Sequence, residues 1–243
     1  MIKAILFDLD GTLLAVDMDE FLRKYFVSLS AHFAHLVEPH DFISTLLAST
    51  QAMMVNDDPH LTNREVFMDD FFRRLSQPPE VIMPMIDSFY ENVFPELRQF
   101  VSVFPEAPEI VSAAKSLDCR VVIATNPLFP SRAIRHRMNW AGISGFDFDL
   151  VTTYENMHYC KPNPNYYLEI CSQIGLDPNQ CLMVGNDVED DIAAAANVGM
   201  KTVFVNTMAV NKSGIEPLAD YTVSVGELKD LLVQIVQSGN GRV

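Results

Sequence analysis

Apolar and polar positions along this chain follow two rhythms. From about Asp17 to about Phe94 apolar residues recur at three- and four-residue spacing, as in Phe21-Leu22-Tyr25-Phe26, Phe42-Ile43-Leu46-Leu47 and Val66-Phe67-Phe71-Phe72-Leu75. That spacing marks one face of an α-helix. No strand-like run interrupts the stretch, while Asn56-Asp57-Asp58-Pro59 and Gln77-Pro78-Pro79 divide it into separate helices. From about Pro105 short apolar runs alternate with helical periodicity. Arg120–Thr125, Cys181–Val184 and Lys201–Val205 read as strands and Asp149–Thr152 as a weaker one. Glu109–Leu117, Ser131–Ala141, Asn165–Ile174 and Asp191–Asn197 read as helices. The chain opens with one further strand, Ile2–Phe7, and Gln237–Gly241 reads as a frayed tail.

Strands alternating with helices of this length imply βαβ units and a parallel sheet. The pattern therefore predicts an α/β fold with helices on both faces of a parallel sheet, plus an inserted all-helical cap domain. Residues 1–15 and 96–243 form the core and residues 16–95 the cap. An insertion placed directly after the first strand hangs over that strand's C-terminal end, where a lid would sit.

The first strand ends in Asp8-Leu9-Asp10-Gly11-Thr12. Alternation puts residues i and i+2 on one side of the backbone, and the C-terminal edge of an open α/β sheet is where ligands bind. Asp8 and Asp10 can thus face one small ligand or metal ion together. A hairpin turn at Asp10-Gly11 would need a second strand within a few residues, and Leu13–Asp17 leads instead into helical periodicity. Three later strand ends add to the pair. Thr125, followed by Asn126-Pro127, offers a hydroxyl and free backbone N–H groups suited to phosphate oxygens, or else begins a turn. Lys161, held between Cys160 and Pro162 ahead of a helix, offers a fixed positive charge, or else plain solvated surface. Val184-Gly185-Asn186-Asp187-Val188-Glu189-Asp190-Asp191 ends a strand with glycine and then presents acids. There Glu189 and Asp190 also suit a helix N-terminus.

With 17 basic against 32 acidic residues among 243, the formal charge is −15. Such a surface repels phosphate backbones, which argues against nucleic acid as a partner. No apolar stretch approaches a membrane span, and Met1-Ile2-Lys3 opens a strand instead of an export signal, so the sequence predicts a cytoplasmic protein with no membrane partner. Cys119, Cys160, Cys171 and Cys181 form no Cys-x-x-Cys pair and read as reduced thiols. Asn211-Lys212-Ser213 matches a glycosylation sequon by chance.

In order and spacing, the four sites resemble the motifs of the haloacid dehalogenase-like hydrolase superfamily, most of whose members transfer phosphoryl groups. Asp8 to Thr12 matches the family's Asp-x-Asp-Gly-Thr after an apolar strand, Thr125 its strand-ending Ser or Thr, and Lys161 its Lys shortly before Pro. Gly185-Asn186 with Asp191 matches its Gly-Asp motif, with Asn186 where the family usually has a metal-binding Asp. Asn coordinates Mg²⁺ through its amide oxygen, and the neighbouring Asp187 is the alternative ligand. The resemblance spans the α/β part of the chain and implies a Rossmann-like sheet and a Mg²⁺-dependent phosphatase of small phosphorylated metabolites. It makes Asp8 the nucleophile, Asp10 the acid and base, and Thr125, Asn126 and Lys161 the phosphate-binding groups. Asp8, the Asp10 carbonyl and Asn186 or Asp187 become metal ligands, with Asp191 orienting Lys161 or a metal-bound water. Dehalogenases of the family lack an acid at the position of Asp10. A phosphosugar mutase, a phosphonate hydrolase using Lys24 as a cap lysine, and a non-catalytic regulatory protein on the same fold stay open as alternatives. So do the substrate's identity and the choice between monomer and homodimer.

The remaining conspicuous residues read as structural. His32, His35 and His40 fall close together in the cap without a carboxylate or cysteine pattern, and Met53-Met54 with Phe67, Phe71 and Phe72 suit a cap core, some of them lining a pocket. Arg132, Arg135 and Arg137 read as a charged solvent face, or a surface for an acidic partner, and Trp140 as packing.

Overall fold

The computed structural model describes residues 1–240. Its centre is strand β1 (Ala4–Phe7), each residue of which is fully buried. A strand apolar on both sides can be satisfied only between two layers of helices, and that is its setting. Strands β2 (Arg120–Ile123) and β3 (Leu150–Val151) lie to one side of it; β4 (Cys181–Gly185), β5 (Lys201–Val205) and β6 (Tyr221–Val223) lie to the other. All pairings are parallel, in the order β3-β2-β1-β4-β5-β6. Ile5 and Phe7 join the larger apolar cluster, with helices α5 (Ala107–Ser116), α6 (Ser131–Trp140) and α9 (Val225–Asn240). Ala4 and Leu6 join the smaller one, with α7 (Pro164–Ile174) and α8 (Ala194–Asn197).

Register levels the strand ends that matter. Phe7 stands opposite both Ile123 and Val184, the Asp8 N–H donates to the Val184 carbonyl at 2.9 Å, and the Ala124 N–H to the Phe7 carbonyl at 2.7 Å. Loops leaving β1, β2 and β4 therefore start from one edge. The chain turns to opposite sides of the sheet between β1 and β4, so the crevice of a doubly wound sheet lies there.

Between β1 and α5 come α1 (Met18–Phe33), α2 (Pro39–Met54), α3 (Asn63–Arg74) and α4 (Pro79–Ser88), then a π turn over Phe89–Val93 and a 3₁₀ segment over Phe94–Phe100. Local chemistry sets their starts. Asp17 accepts the Glu20 N–H at 3.0 Å, Thr62 and Glu65 form a capping box, and Pro39 and Pro79 occupy first-turn positions where no N–H is needed. Two first-turn amides of α3 find carbonyls in the loop after β3, Asn63 N–H to Met157 at 2.8 Å and Arg64 N–H to Tyr154 at 2.7 Å. Helix-start donors otherwise left to solvent thus tie the insertion to the α/β layer. Aromatic packing adds to this, for the Phe94 ring stacks on Trp140 of α6 at 5.5 Å and meets Phe21, Tyr25, Phe89 and Tyr90 edge-on or tilted.

The strands expected from sequence are present with small end shifts, and β6 is an addition. Asp191–Asn197, expected as one helix, is instead the end of a π turn over Val188–Ala193 followed by α8. The expected frayed tail is helical through Asn240, because Leu228, Leu232 and Val236 seat α9 on the core; Gly241 lies outside the described residues. Among the described residues no helix is long and apolar enough to cross a membrane.

Phe94→Ala removes the ring that joins α1, the π turn and α6, and by the usual cost of emptying an aromatic core site it lowers stability by about 3–5 kcal/mol. Urea unfolding followed by circular dichroism reads the change, and a loss under about 1 kcal/mol would show that this contact does not hold the layers together.

Candidate active site

The turn after β1 is closed by its own backbone. Leu13 and Leu14 N–H groups donate to the Leu9 carbonyl at 2.9 and 2.8 Å, and Gly11 N–H to the Leu14 carbonyl at 2.7 Å. Gly11 is required twice here, since its φ of +87° disfavours a side chain and a Cβ would stand 2.2 Å from Asn186 Nδ2. The close approach brings Asn186, from the end of β4, against the turn. Thr12 Oγ1 lies between the two elements, 3.3 Å from Asp8 Oδ2 and 3.1 Å from Asn186 Oδ1.

On the other side of Asp8 stands Lys161. Its ammonium donates to Asp8 Oδ1 at 2.9 Å and to Asp191 Oδ1 at 2.6 Å, and the residue is 2% exposed. Asp191 reaches this position because Gly185 leaves room, a Cβ there falling 2.2 Å from Asp191 Oδ2. That oxygen accepts the Asp187 N–H at 3.0 Å. Asn126 braces the lysine's backbone from the β2 side, its Oδ1 accepting the Lys161 N–H at 3.3 Å and its Nδ2 donating to the Lys161 carbonyl at 3.4 Å. The Thr125 carbonyl accepts the Thr152 hydroxyl at 2.7 Å and the Tyr166 hydroxyl at 2.9 Å. These contacts fix the loop that presents the Thr125 side chain.

Asp10 has a partner that the sequence reading placed on a solvent face. Arg137, on α6, is 2% exposed; one guanidinium nitrogen grips Asp10 Oδ2, and the group lies 4.6 Å over the Phe129 ring. Arg132 and Arg135 fit the surface reading better. Arg135 is exposed, and Arg132 reaches the Asp87 carbonyl and the carboxylates of Asp87 and Glu91 within this same chain. Among the described residues, Asp10 Oδ1, Arg137 Nε and Arg137 Nη2 are buried without a hydrogen-bond partner.

Of the two residues after Gly185, Asn186 belongs to the cluster and Asp187 is engaged elsewhere. Asn186 is 4% exposed, with Oδ1 toward Thr12 and Nδ2 donating to the Met208 carbonyl at 2.7 Å. Asp187 Oδ1 accepts the Glu189 and Asp190 N–H groups at 2.9 and 2.8 Å, capping the π turn, while Oδ2 pairs with Lys212 at 3.3 Å. A separate exposed group, Glu38, His40 and Asp41 at the start of α2, has ligand atoms within 4.8 Å of one another, and its Glu38 carboxylate is occupied in capping that helix. Of the other two histidines singled out in the insertion, His35 is exposed and His32 is half-buried against the Met85 carbonyl, as expected for helix surface.

The sequence profile of the haloacid dehalogenase-like hydrolases matches residues 2–199. The chain belongs to that family. A glyceraldehyde 3-phosphate phosphatase of Pyrococcus abyssi is 26% identical over 99% of this hydrolase and 96% of its own length. An N-acetylmuramic acid 6-phosphate phosphatase of Pseudomonas aeruginosa is 26% identical over 84% and 81%. Among solved structures, a 2-haloacid dehalogenase of Pseudomonas syringae covers 97% of this chain and all of its own, with a TM-score of 0.62 and 19% identity, a likeness of fold.

The charges of the hydrolase's cluster do not balance. Asp8, Asp10 and Asp191 face Lys161 and Arg137, three acids against two cations, nearly all out of water. Burial, working against the pull of Lys161, raises the carboxyls of Asp8 and Asp191, and it raises Asp10 against Arg137 as well. Burial alone would lower the Lys161 ammonium, but Asp191 and Asp8 hold it well above the ordinary lysine value. The Asp8 carboxylate, in a cluster with more acids than cations, and the Asn186 amide oxygen both lie against Thr12 Oγ1, and these hard oxygen donors fit a Mg²⁺ ion.

An acid whose folded pKa is raised ionises first in the unfolded chain. Stability of the metal-free protein therefore falls as pH rises from the ordinary carboxylate range toward the folded values. Asp8→Asn removes the unbalanced charge and, without metal at pH 7.5, raises Tm by about 2–4 °C, the shift that roughly 1 kcal/mol produces in a domain of this size. The gain disappears below about pH 3, where the carboxyl is neutral in both states. Calorimetry at the two pH values checks the sign, and a variant less stable than wild type at pH 7.5 would contradict it.

Proposed function

We propose that this hydrolase is a Mg²⁺-dependent phosphatase that cleaves a small phosphorylated metabolite through an aspartyl-phosphate on Asp8. The observation that carries the reading is the second carboxyl beside the nucleophile. The Asp10 side chain is 10% exposed and gripped at Oδ2, and among the described residues nothing hydrogen-bonds its Oδ1. Cleaving a phosphate ester expels an alkoxide that needs a proton, whereas displacing a halide does not. The curated relatives at 26% identity carry names of phosphatases of small phosphorylated compounds, which supports the same substrate class.

An Asp8 carboxylate oxygen forms a bond to phosphorus as the ester P–O bond breaks, and Asp10 Oδ1 gives its proton to the departing oxygen. Asp10, now ionised, takes a proton from water as that water attacks the same phosphorus, releasing inorganic phosphate and restoring Asp8. The Thr125 hydroxyl and the Asn126 N–H hold the transferring oxygens. Lys161 lays positive charge beside the attacking carboxylate, and Asp191 aims it. Arg137 acts through Asp10, holding Oδ2 so that Oδ1 faces the leaving group. Asp8, the Asp10 carbonyl and the Asn186 amide oxygen would hold Mg²⁺, Asp187 being committed to its cap and to Lys212. Bound Mg²⁺ supplies the positive charge that lets an anionic carboxylate approach a phosphate dianion. Residues 16–95 act as a cap that closes over this edge, the work is cytoplasmic, and the partner is the small substrate.

Hydrolysis of p-nitrophenyl phosphate by the full chain tests the reading. Activity requires Mg²⁺, disappears in Asp8→Asn and falls by about 10²–10⁴-fold in Asp10→Asn. Turnover that persists in folded Asp8→Asn, or that is unchanged by chelation of divalent ions, would refute the mechanism.

A further inference from the structure

Between the insertion and the loop after β2 lies a cavity of about 160 Å³. Its walls include Leu22 and Tyr25 of α1, Leu46 of α2, Phe71 of α3, and Phe129 with Tyr154 from the α/β layer, and none of its lining residues is an acid, a lysine, an arginine or a histidine. The few polar groups there are largely engaged. The Tyr25 and Tyr90 hydroxyls bond to each other at 2.8 Å, and the Thr50 hydroxyl donates to the Leu46 carbonyl at 2.9 Å. Burial pushes the Tyr25 phenol up to about 12 and Tyr90 well above its ordinary value, so both walls stay neutral.

Position relates this space to the reaction. Phe129 forms part of the wall, Arg137 lies on the Phe129 ring, and Arg137 holds Asp10. The cavity is thus linked to Asp10 through Phe129 and Arg137, and its Leu128, Phe129 and Pro130 wall follows closely on the Thr125-Asn126 loop. A polyol entering it would give up its water for almost no hydrogen bonds, while an apolar group would gain by leaving water. In size it matches an apolar cavity of about 150 Å³, which accepts one benzene ring.

We propose that this cavity receives the leaving group, and that the substrate is the phosphate monoester of a compact apolar alcohol about one ring in size, not a sugar phosphate. The assignment rests on the phosphatase reading and narrows it. Apolar walls select by shape and by exclusion of hydroxyls, so the enzyme discriminates in the leaving alcohol while treating the phosphate alike.

The test compares kcat/KM for benzyl phosphate and glucose 6-phosphate, both esters of primary alcohols, with acetyl phosphate as a substrate too small to fill the cavity. Wild type prefers benzyl phosphate by about 10- to 200-fold, the range a hydrophobic pocket supports. Leu46→Trp, and more mildly Leu46→Phe, fill the space from α2 and remove that preference while acetyl phosphate is still hydrolysed. Equal rates, a preference for glucose 6-phosphate, or a benzyl preference that survives filling in a variant active on acetyl phosphate would overturn the assignment alone. A folded wild type that hydrolyses none of the three with Mg²⁺ overturns the phosphatase reading, and the leaving-group assignment with it.

Discussion

The Lys161 ammonium, placed between Asp8 and Asp191 and removed from water, is the interaction around which this end of the molecule is arranged. A buried cation is tolerable only when its donors are met, and a buried acid only when a cation stands beside it. Each group in the cluster therefore dictates something further away. Asp191 needs the space at Gly185, Lys161 needs the Asn126 brace, and the β2 loop needs the two hydroxyls on the Thr125 carbonyl. Arg137 repeats the pattern at Asp10 and brings α6 into the site.

The insertion meets the same layer through a different physics. Its buried contacts are apolar and aromatic, with Phe94 and Tyr25 in one continuous cluster with Phe7 and Ile123 of the sheet, and its ion pairs, those of Arg132 with Asp87 and Glu91, lie at the surface. Only a few backbone hydrogen bonds, those of Asn63 and Arg64, cross between α3 and the loop after β3. Ionic groups thus gather at the strand ends and apolar groups line the space beyond them, a division that suits a ligand with a charged head and an uncharged body.

Much of this was legible in the chain. Buried parallel strands are nearly continuous apolar runs, so β1, β2, β4 and β5 stand out, and the Asp, Thr and Gly-Asn positions fall at the ends of β1, β2 and β4 because loops begin there, while Lys161 lies ten residues past β3, just ahead of α7. β6 did not stand out: Tyr221, Thr222 and Val223 form a three-residue edge strand, half-exposed and too short to carry a period. Arg137 was missed for a different reason. On helical spacing it sits among Arg132 and Arg135 like any solvent-facing cation, and only the fold brings Asp10, 127 positions away in sequence, to its guanidinium. Its three- and four-residue spacing from the apolar Ala133, Ile134 and Trp140 was the local sign that it faces inward. Helical periodicity likewise gave the helices of the insertion but not the direction of each face, which depends on how they pack.

Asn186 fills its place with both ends of its amide. The nitrogen donates to the Met208 carbonyl at 2.7 Å while the oxygen meets Thr12. An aspartate at the same position, the residue usual in this motif, would turn a carboxylate oxygen toward that carbonyl, acceptor against acceptor with no proton between them. Restoring the common residue is then no simple reversion, since the segment Asn206–Met208 must withdraw to admit it. The asparagine and the path of the chain after β5 are thus coupled through a single hydrogen bond, and a change at either position alters the demand on the other.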